Sequence, residues 1–172
     1  LRFFGQREAA TAHALLNQLL DLRTGPRVPL VAMVDERLAE ERTDGWRYED
    51  MPEDGQAWRE SLAHLDDDSI ADQGSRFAEC SHAQQRTIIA RIQERGSVGW
   101  HGLDASHIWS LWTRYACTAY YSHPSAWSEM GFPGPAFPRG YASLGVDALE
   151  RFEVKDTGPD RDAEARPSDG GS

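Results

Sequence analysis

Three histidines, His101, His107 and His123, fall within one aromatic-rich stretch, with Asp104 between the first two and Glu129 a little further on. Imidazole and carboxylate are the side chains that hold zinc and similar divalent ions. A metal site built on a helix takes ligands at i and i+3 or i+4, so that both face the ion. His101 and His107 are six positions apart, with Gly102 between them, and His123 lies beyond the end of the helix that the intervening residues predict. The spacing favours satisfied or exposed histidines over ligands. A loop-assembled site, and with it a stand-alone metal-dependent enzyme using these histidines and carboxylates, is the alternative.

Glycine recurs at Gly96, Gly99 and Gly102 in "GSVGWHG", just ahead of the same helix, where backbone N–H groups are placed to receive an anion. No strand pattern precedes this segment and no acid follows at dinucleotide spacing, so it reads as a helix–helix connection. Ser106–His107 and Ser122–His123 are sequence neighbours. Such neighbours rarely form a nucleophile–base pair, and neither sits on a strand–turn–helix elbow. The only lysine, Lys155, follows no Gly-rich loop, which argues against Schiff-base chemistry and a phosphate-cradling lysine. Cys80 and Cys117 are too few for a disulfide framework and too widely spaced for zinc, and are expected to be two buried thiols. These residues give no catalytic, cofactor-binding or metal-binding assignment.

The elements around them are helical. A chain of 172 residues is long enough for one domain with a real core. Its net charge of −10 and pI near 5.0 argue against sequence-independent binding to nucleic acid or anionic membranes. No stretch is long and apolar enough to span a bilayer. Residues 8–22 place Ala9, Ala12, Leu16, Leu19 and Leu20 on one stripe, and the glycine and prolines after it end the helix. A second helix starts at Pro29 or Leu30, with Val31, Val34 and Leu38 inward and Asp35, Glu36, Arg37 and Glu40 outward. Residues 42–55 read as a loop. Trp58, Leu62 and Leu65 mark a third helix that runs out at Asp66–Asp68. Ser81 and Gln84 form a capping box for a fourth helix burying Ile88, Ile89 and Ile92.

Asp104 is the predicted N-cap of the aromatic helix, whose Ile108, Leu111, Trp112, Tyr115 and Ala119 recur at helical spacing. Trp109, Ala116 and Tyr120 add a second apolar face, so the helix is expected to lie inside something. The period of a half-buried sheet is absent apart from a short Arg151–Val154 run. The expectation is an all-α fold: one helical domain over residues 1–155 and a disordered acidic tail over 156–172.

His123–Pro124 should end the aromatic helix, because a residue before proline avoids the helical region. Pro124 then opens a short helix through Glu129, closed by Gly131. The following residues, "FPGPAFPRGY", cannot sustain regular hydrogen bonding and predict a stiff ribbon presenting Phe132, Phe137, Arg139 and Tyr141. Aromatics and arginine carry interface energy, and proline lowers the ordering cost. On the residues alone, a partner-binding ribbon and a loop folded back over its own helices are equal alternatives.

The stretch Tyr120, Tyr121, His123, Pro124, Trp127, Gly131, Phe132, Gly134, Pro135, Phe137, Pro138, Arg139, Gly140 and Tyr141, following "WSLWTRYACTAYY", strongly resembles the gluconate 2-dehydrogenase subunit 3 family. The opening "FFGQREAATAHALLNQLL" is similar to that family's first helix, and the likeness runs from about Phe3 to Leu144. The resemblance implies a helical small subunit without a redox cofactor of its own. Its partner would be a large FAD-containing oxidoreductase of the glucose–methanol–choline type that oxidises a sugar or sugar acid, in some systems with a cytochrome c subunit as acceptor. The expected partner-binding residues are Tyr120, Tyr121, His123, Pro124, Trp127, Phe132, Pro135, Phe137, Pro138, Arg139 and Tyr141. A maturation or export chaperone of that flavoprotein is the alternative role. The resemblance also implies export, several relatives carrying a twin-arginine leader. The compartment is therefore periplasmic or exported if a leader preceded Leu1, and cytoplasmic otherwise.

Overall fold

A computed structural model describes residues 1–22 and 28–131. Phe132, Pro135, Phe137, Pro138, Arg139 and Tyr141, the Arg151–Val154 run and the acidic tail lie outside the described residues. The chain divides after Tyr120 into two units, and each is taken by itself. The fold is all-α: α1 (Gln6–Leu19), α2 (Leu30–Ala39), α3 (Asp54–Gln73), a 3-10 turn (Phe77–Glu79), α4 (His82–Glu94), β1 (Gly99–Trp100), β2 (Leu103–Asp104), α5 (Ala105–Ser122) and α6 (Pro124–Glu129).

Local chemistry sets most boundaries. Glu8 folds back to accept the Gly5 N–H at 2.7 Å, opening α1. Ser81 and Gln84 make the expected capping box, with the Ser81 N–H donating to Gln84 Oε1 at 2.8 Å and the Gln84 N–H to Ser81 Oγ at 3.4 Å. Asp104 Oδ1 accepts from the N–H groups of Ser106 and His107, satisfying donors that the start of α5 would otherwise leave unpaired. His123 caps α6 with its ring, Nδ1 accepting the Ser125 N–H at 3.2 Å, and Pro124 fills the first helical position.

Four expectations need correction. The third helix does not run out at Asp66–Asp68: α3 continues to Gln73 and ends on Gly74, whose φ of 73° is the left-handed C-cap geometry that glycine adopts without strain. Asp66 is buried within it and accepts from Thr11 Oγ1 on α1, the Phe77 N–H and Arg76 Nη1. Asp35 points inward rather than outward, at 3 % exposure, because its carboxylate receives the N–H groups of Arg2, Phe3 and Phe4 at 2.7, 3.0 and 2.7 Å. Of the two thiols only Cys80 is buried; Cys117 is exposed on α5, and both are free. The Gly99–Asp104 connection contains a two-residue hairpin, Trp100 opposite Leu103, turning on His101 and Gly102 with φ of 52° and 85°. Those angles match the type I′ turn, whose twist suits a hairpin. Histidine is among the few non-glycine residues enriched in that left-handed region.

The core centres on α1 and α3, which pack on each other, on the 3-10 turn and on α4. It is unusually aromatic: Trp58, Phe77, Trp100, Trp112 and Tyr115 are all at 2 % exposure or less. Trp58 meets Phe4 and Tyr115 edge-on, and Trp100 meets Trp112 edge-on at 5.6 Å, the geometry that aromatic quadrupoles favour.

Asp35 gives a direct test of how the N-terminal residues are held. Burial resists its charge, but the three backbone donors outweigh that and hold its carboxyl below the ordinary carboxylate value. Such a contribution is complete above the unfolded carboxylate pKa, about 3.9, and is lost as pH falls through the lower native value. Asp35→Asn is expected to cost about 1–3 kcal/mol at neutral pH. Urea unfolding should show the gap between variant and wild type shrinking toward pH 3.

Candidate interaction surface

The aromatic helix α5 is seated on α3 by two buried polar pairs. Trp112 Nε1–H donates to Ser61 Oγ at 3.0 Å, and the Tyr115 hydroxyl donates to Asp54 Oδ2 at 2.8 Å. Burial first, and then the bond to Asp54, push the Tyr115 phenol far above its ordinary value, so it serves as a fixed donor. Arg114, one residue earlier, reaches Asp54 at 3.5 Å and also pairs with Asp44. Arg37 pairs with Asp44 as well, and its guanidinium lies 4.6 Å from the Tyr115 ring centre. Burial resists the charge on Asp44, and the two arginines overcome it, holding the carboxyl below the usual range.

The structure separates the first two histidines onto different partners. His101 Nε2 lies 2.7 Å from Asp68 Oδ1, and its ring stacks on His64 with centroids 4.3 Å apart. Trp100 Nε1–H donates to the other oxygen of Asp68 at 2.8 Å. His107 pairs instead with Asp50 at 3.0 Å and stacks on Tyr48. In the second unit His123 is the α6 cap. Asp50, Asp104 and His107 bring one ligand atom each within 4.8 Å of one another, donor types that a divalent ion accepts. Asp104 Oδ1, however, already takes the cap bonds and the Ser106 hydroxyl at 2.6 Å. That hydroxyl bond first, and then the N–H groups, hold the Asp104 carboxyl low. Ser106 donates to Asp104 and not to His107, in keeping with the expectation that such sequence neighbours do not form a nucleophile–base pair.

Of the residues expected to meet a partner, Tyr120, His123 and Trp127 are half-buried and Tyr121 and Pro124 are exposed. Trp127 Nε1–H donates to the Tyr121 carbonyl at 2.7 Å, tying α6 to the end of α5. An aromatic group that the sequence reading passed over lies in the first unit. Trp46 meets Tyr48 edge-on at 5.3 Å, and Arg114 lies 4.8 Å from the Trp46 ring centre. The available signal was a Trp and a Tyr two apart in an otherwise charged loop. Beside this loop a cleft of about 680 Å³ opens between Phe3, Leu38 and Tyr115.

The stacked His64–His101 pair makes stability respond to pH. Burial, then the neighbouring His101, lower the pKa of His64 from 6.5. The native state therefore favours neutral His64: its contribution is complete above about 6.5 and is lost as pH falls through that value toward the lower native one. His64→Phe keeps a flat ring against His101 but removes the titration. Its melting temperature is expected to fall less than that of wild type between pH 7.5 and 5, as read by circular dichroism; parallel curves would contradict the assignment.

A family model described as Gluconate 2-dehydrogenase subunit 3 matches residues 6–134. No curated protein and no solved structure matches the chain. The match runs from the first residue of α1 through α6 to Gly134. The chain belongs to the gluconate 2-dehydrogenase subunit 3 family.

Proposed function

We propose that this chain is the non-catalytic small subunit of a flavin-dependent sugar or sugar-acid dehydrogenase, binding and stabilising a large FAD-containing subunit of the glucose–methanol–choline type. The family match over residues 6–134 carries the reading, since the family is described as a dehydrogenase subunit. The uses found for the polar groups of the aromatic stretch support it: His101, His107, His123 and Asp104 each serve a hydrogen bond, a stack or a cap. FAD belongs to the partner in this reading, and a cytochrome c subunit accepts the electrons in systems that have one.

The end of α5, α6 and the residues that follow as far as Tyr141 form the partner-binding segment. Tyr120, Tyr121, His123, Pro124 and Trp127 lead into Phe132, Pro135, Phe137, Pro138, Arg139 and Tyr141. The cap by His123 and the Trp127–Tyr121 bond fix the start of this segment, so less freedom is lost when it docks. Docking to the folded large subunit alone would stabilise that subunit by mass action.

Alanine replacements at Trp127, Phe132, Phe137, Arg139 and Tyr141, one at a time, test this by titration calorimetry with the purified large subunit. At least two are expected to lose about 2 kcal/mol or more, the size of an interface hot spot. Uniformly small losses in folded variants would contradict the assignment of binding energy to these residues.

A further inference from the structure

We propose that the 42–53 loop and the cleft beside it form a second docking face, one that receives an arginine- or lysine-bearing segment of the large subunit. This rests on the reading above that such a subunit is bound, and adds a site and a chemistry for the contact. Trp46 and Tyr48 stand out in the first unit because they are large rings left 50 % and 38 % exposed. They are nevertheless fixed. Trp46 leans edge-on against Tyr48 with Arg114 against its face, Tyr48 stacks on His107 at 3.6 Å, and Asp50 holds His107. Rings locked before contact lose little freedom on binding, and Trp and Tyr are the residues that carry interface energy.

The charge around the rings selects the partner. The loop sets Asp44, Glu49, Asp50 and Glu53 against Arg42 and Arg47. The cleft sets Glu41, Glu53, Asp54 and Glu60 against Arg37 and Arg59. Both cleft arginines are engaged already: Arg37 with Asp44, and Arg59 with the Phe3 carbonyl at 2.9 Å. Of the cleft acids, Asp54 is buried against Tyr115 and Glu53 pairs with Arg47, so Glu41 and Glu60 make the rim negative around an apolar floor of Phe3, Leu38 and Tyr115, with Arg59 lying on the Phe3 ring at 4.2 Å. Asp44, gripped by Arg37 from the cleft side and Arg114 from the loop side, makes loop and cleft one surface. A long cationic side chain would lay its stem on the floor and its charge at the rim. A second copy of this chain, with its own charge of −10, would be repelled from the same face.

Binding of the purified large subunit, measured at low and moderate salt, tests the face. Trp46→Ala combined with Tyr48→Ala is expected to weaken binding by about tenfold or more. Glu41→Gln combined with Glu60→Gln should weaken it less, but flatten the salt dependence seen with wild type. The carboxamide pair keeps the test decisive if the aromatic pair fails to fold. Wild-type affinity and salt dependence in the carboxamide pair, while Phe137→Ala weakens binding, would overturn this docking face and leave the partner reading standing. A folded wild-type chain that does not bind the large subunit would overturn that reading, and the docking face with it.

Discussion

One helix of the first unit supplies polar partners to α1, the 3-10 turn, α4, the hairpin and α5. From its first residue to its last turn, α3 sends out Asp54 to Tyr115 and Arg114, Ser61 to Trp112, Asp66 to Thr11 and the 3-10 turn, Asp68 to the hairpin, and Asp72 to Arg91 of α4. Burying Asp54, Ser61 and Asp66 would be costly without these bonds. With them, Asp54, Ser61 and Asp66 are satisfied only in an arrangement that brings Tyr115, Trp112, Thr11 and Phe77 to α3. Large rings alone would fill the same volume in several ways. The polar pairs select one, and so fix which face of α5 remains turned away from the core.

This dependence explains what could and could not be read from the sequence. Bonds between residues two or three apart were legible: the Ser81–Gln84 box, the Asp104 cap and the Pro124 start of α6 all follow from local spacing, as does the apolar stripe of α5. Three consecutive aspartates looked like a helix end because their charges oppose the negative C-terminal end of a helix dipole. Their acceptors' partners, Thr11, Phe77, Trp100 and His101, lie 55, 11, 32 and 33 residues away. No local pattern contains such distances. Asp35 was misplaced for the same reason, its donors being more than thirty residues upstream. The His101–Gly102 hairpin was missed because its strands are two residues long, too short to show alternation.

Histidines, carboxylates and hydroxyls near α5 were the natural candidates for chemistry, and the structure gives them caps, stacks and hydrogen bonds. The aromatic residues divide differently. Trp58, Trp100 and Trp112 are consumed in the core, whereas Trp46, Tyr48 and Tyr121 stay exposed. In this chain Trp46 and Tyr48 are held by Arg114 and His107, which suits the proposal that it works by contact. The two proposed contact segments, residues 120–141 and the 42–53 loop with its cleft, differ in composition: one is rich in proline and carries Arg139, the other is acid-rich.

The most direct measurement is co-expression of this chain with the large flavoprotein, followed by size-exclusion chromatography monitored at the protein and flavin absorbances. Both chains and the flavin are expected to elute together in fixed proportion, and the large subunit expressed alone to be less stable. A large subunit that is flavin-loaded, equally stable and eluting apart from this chain would contradict the proposed role.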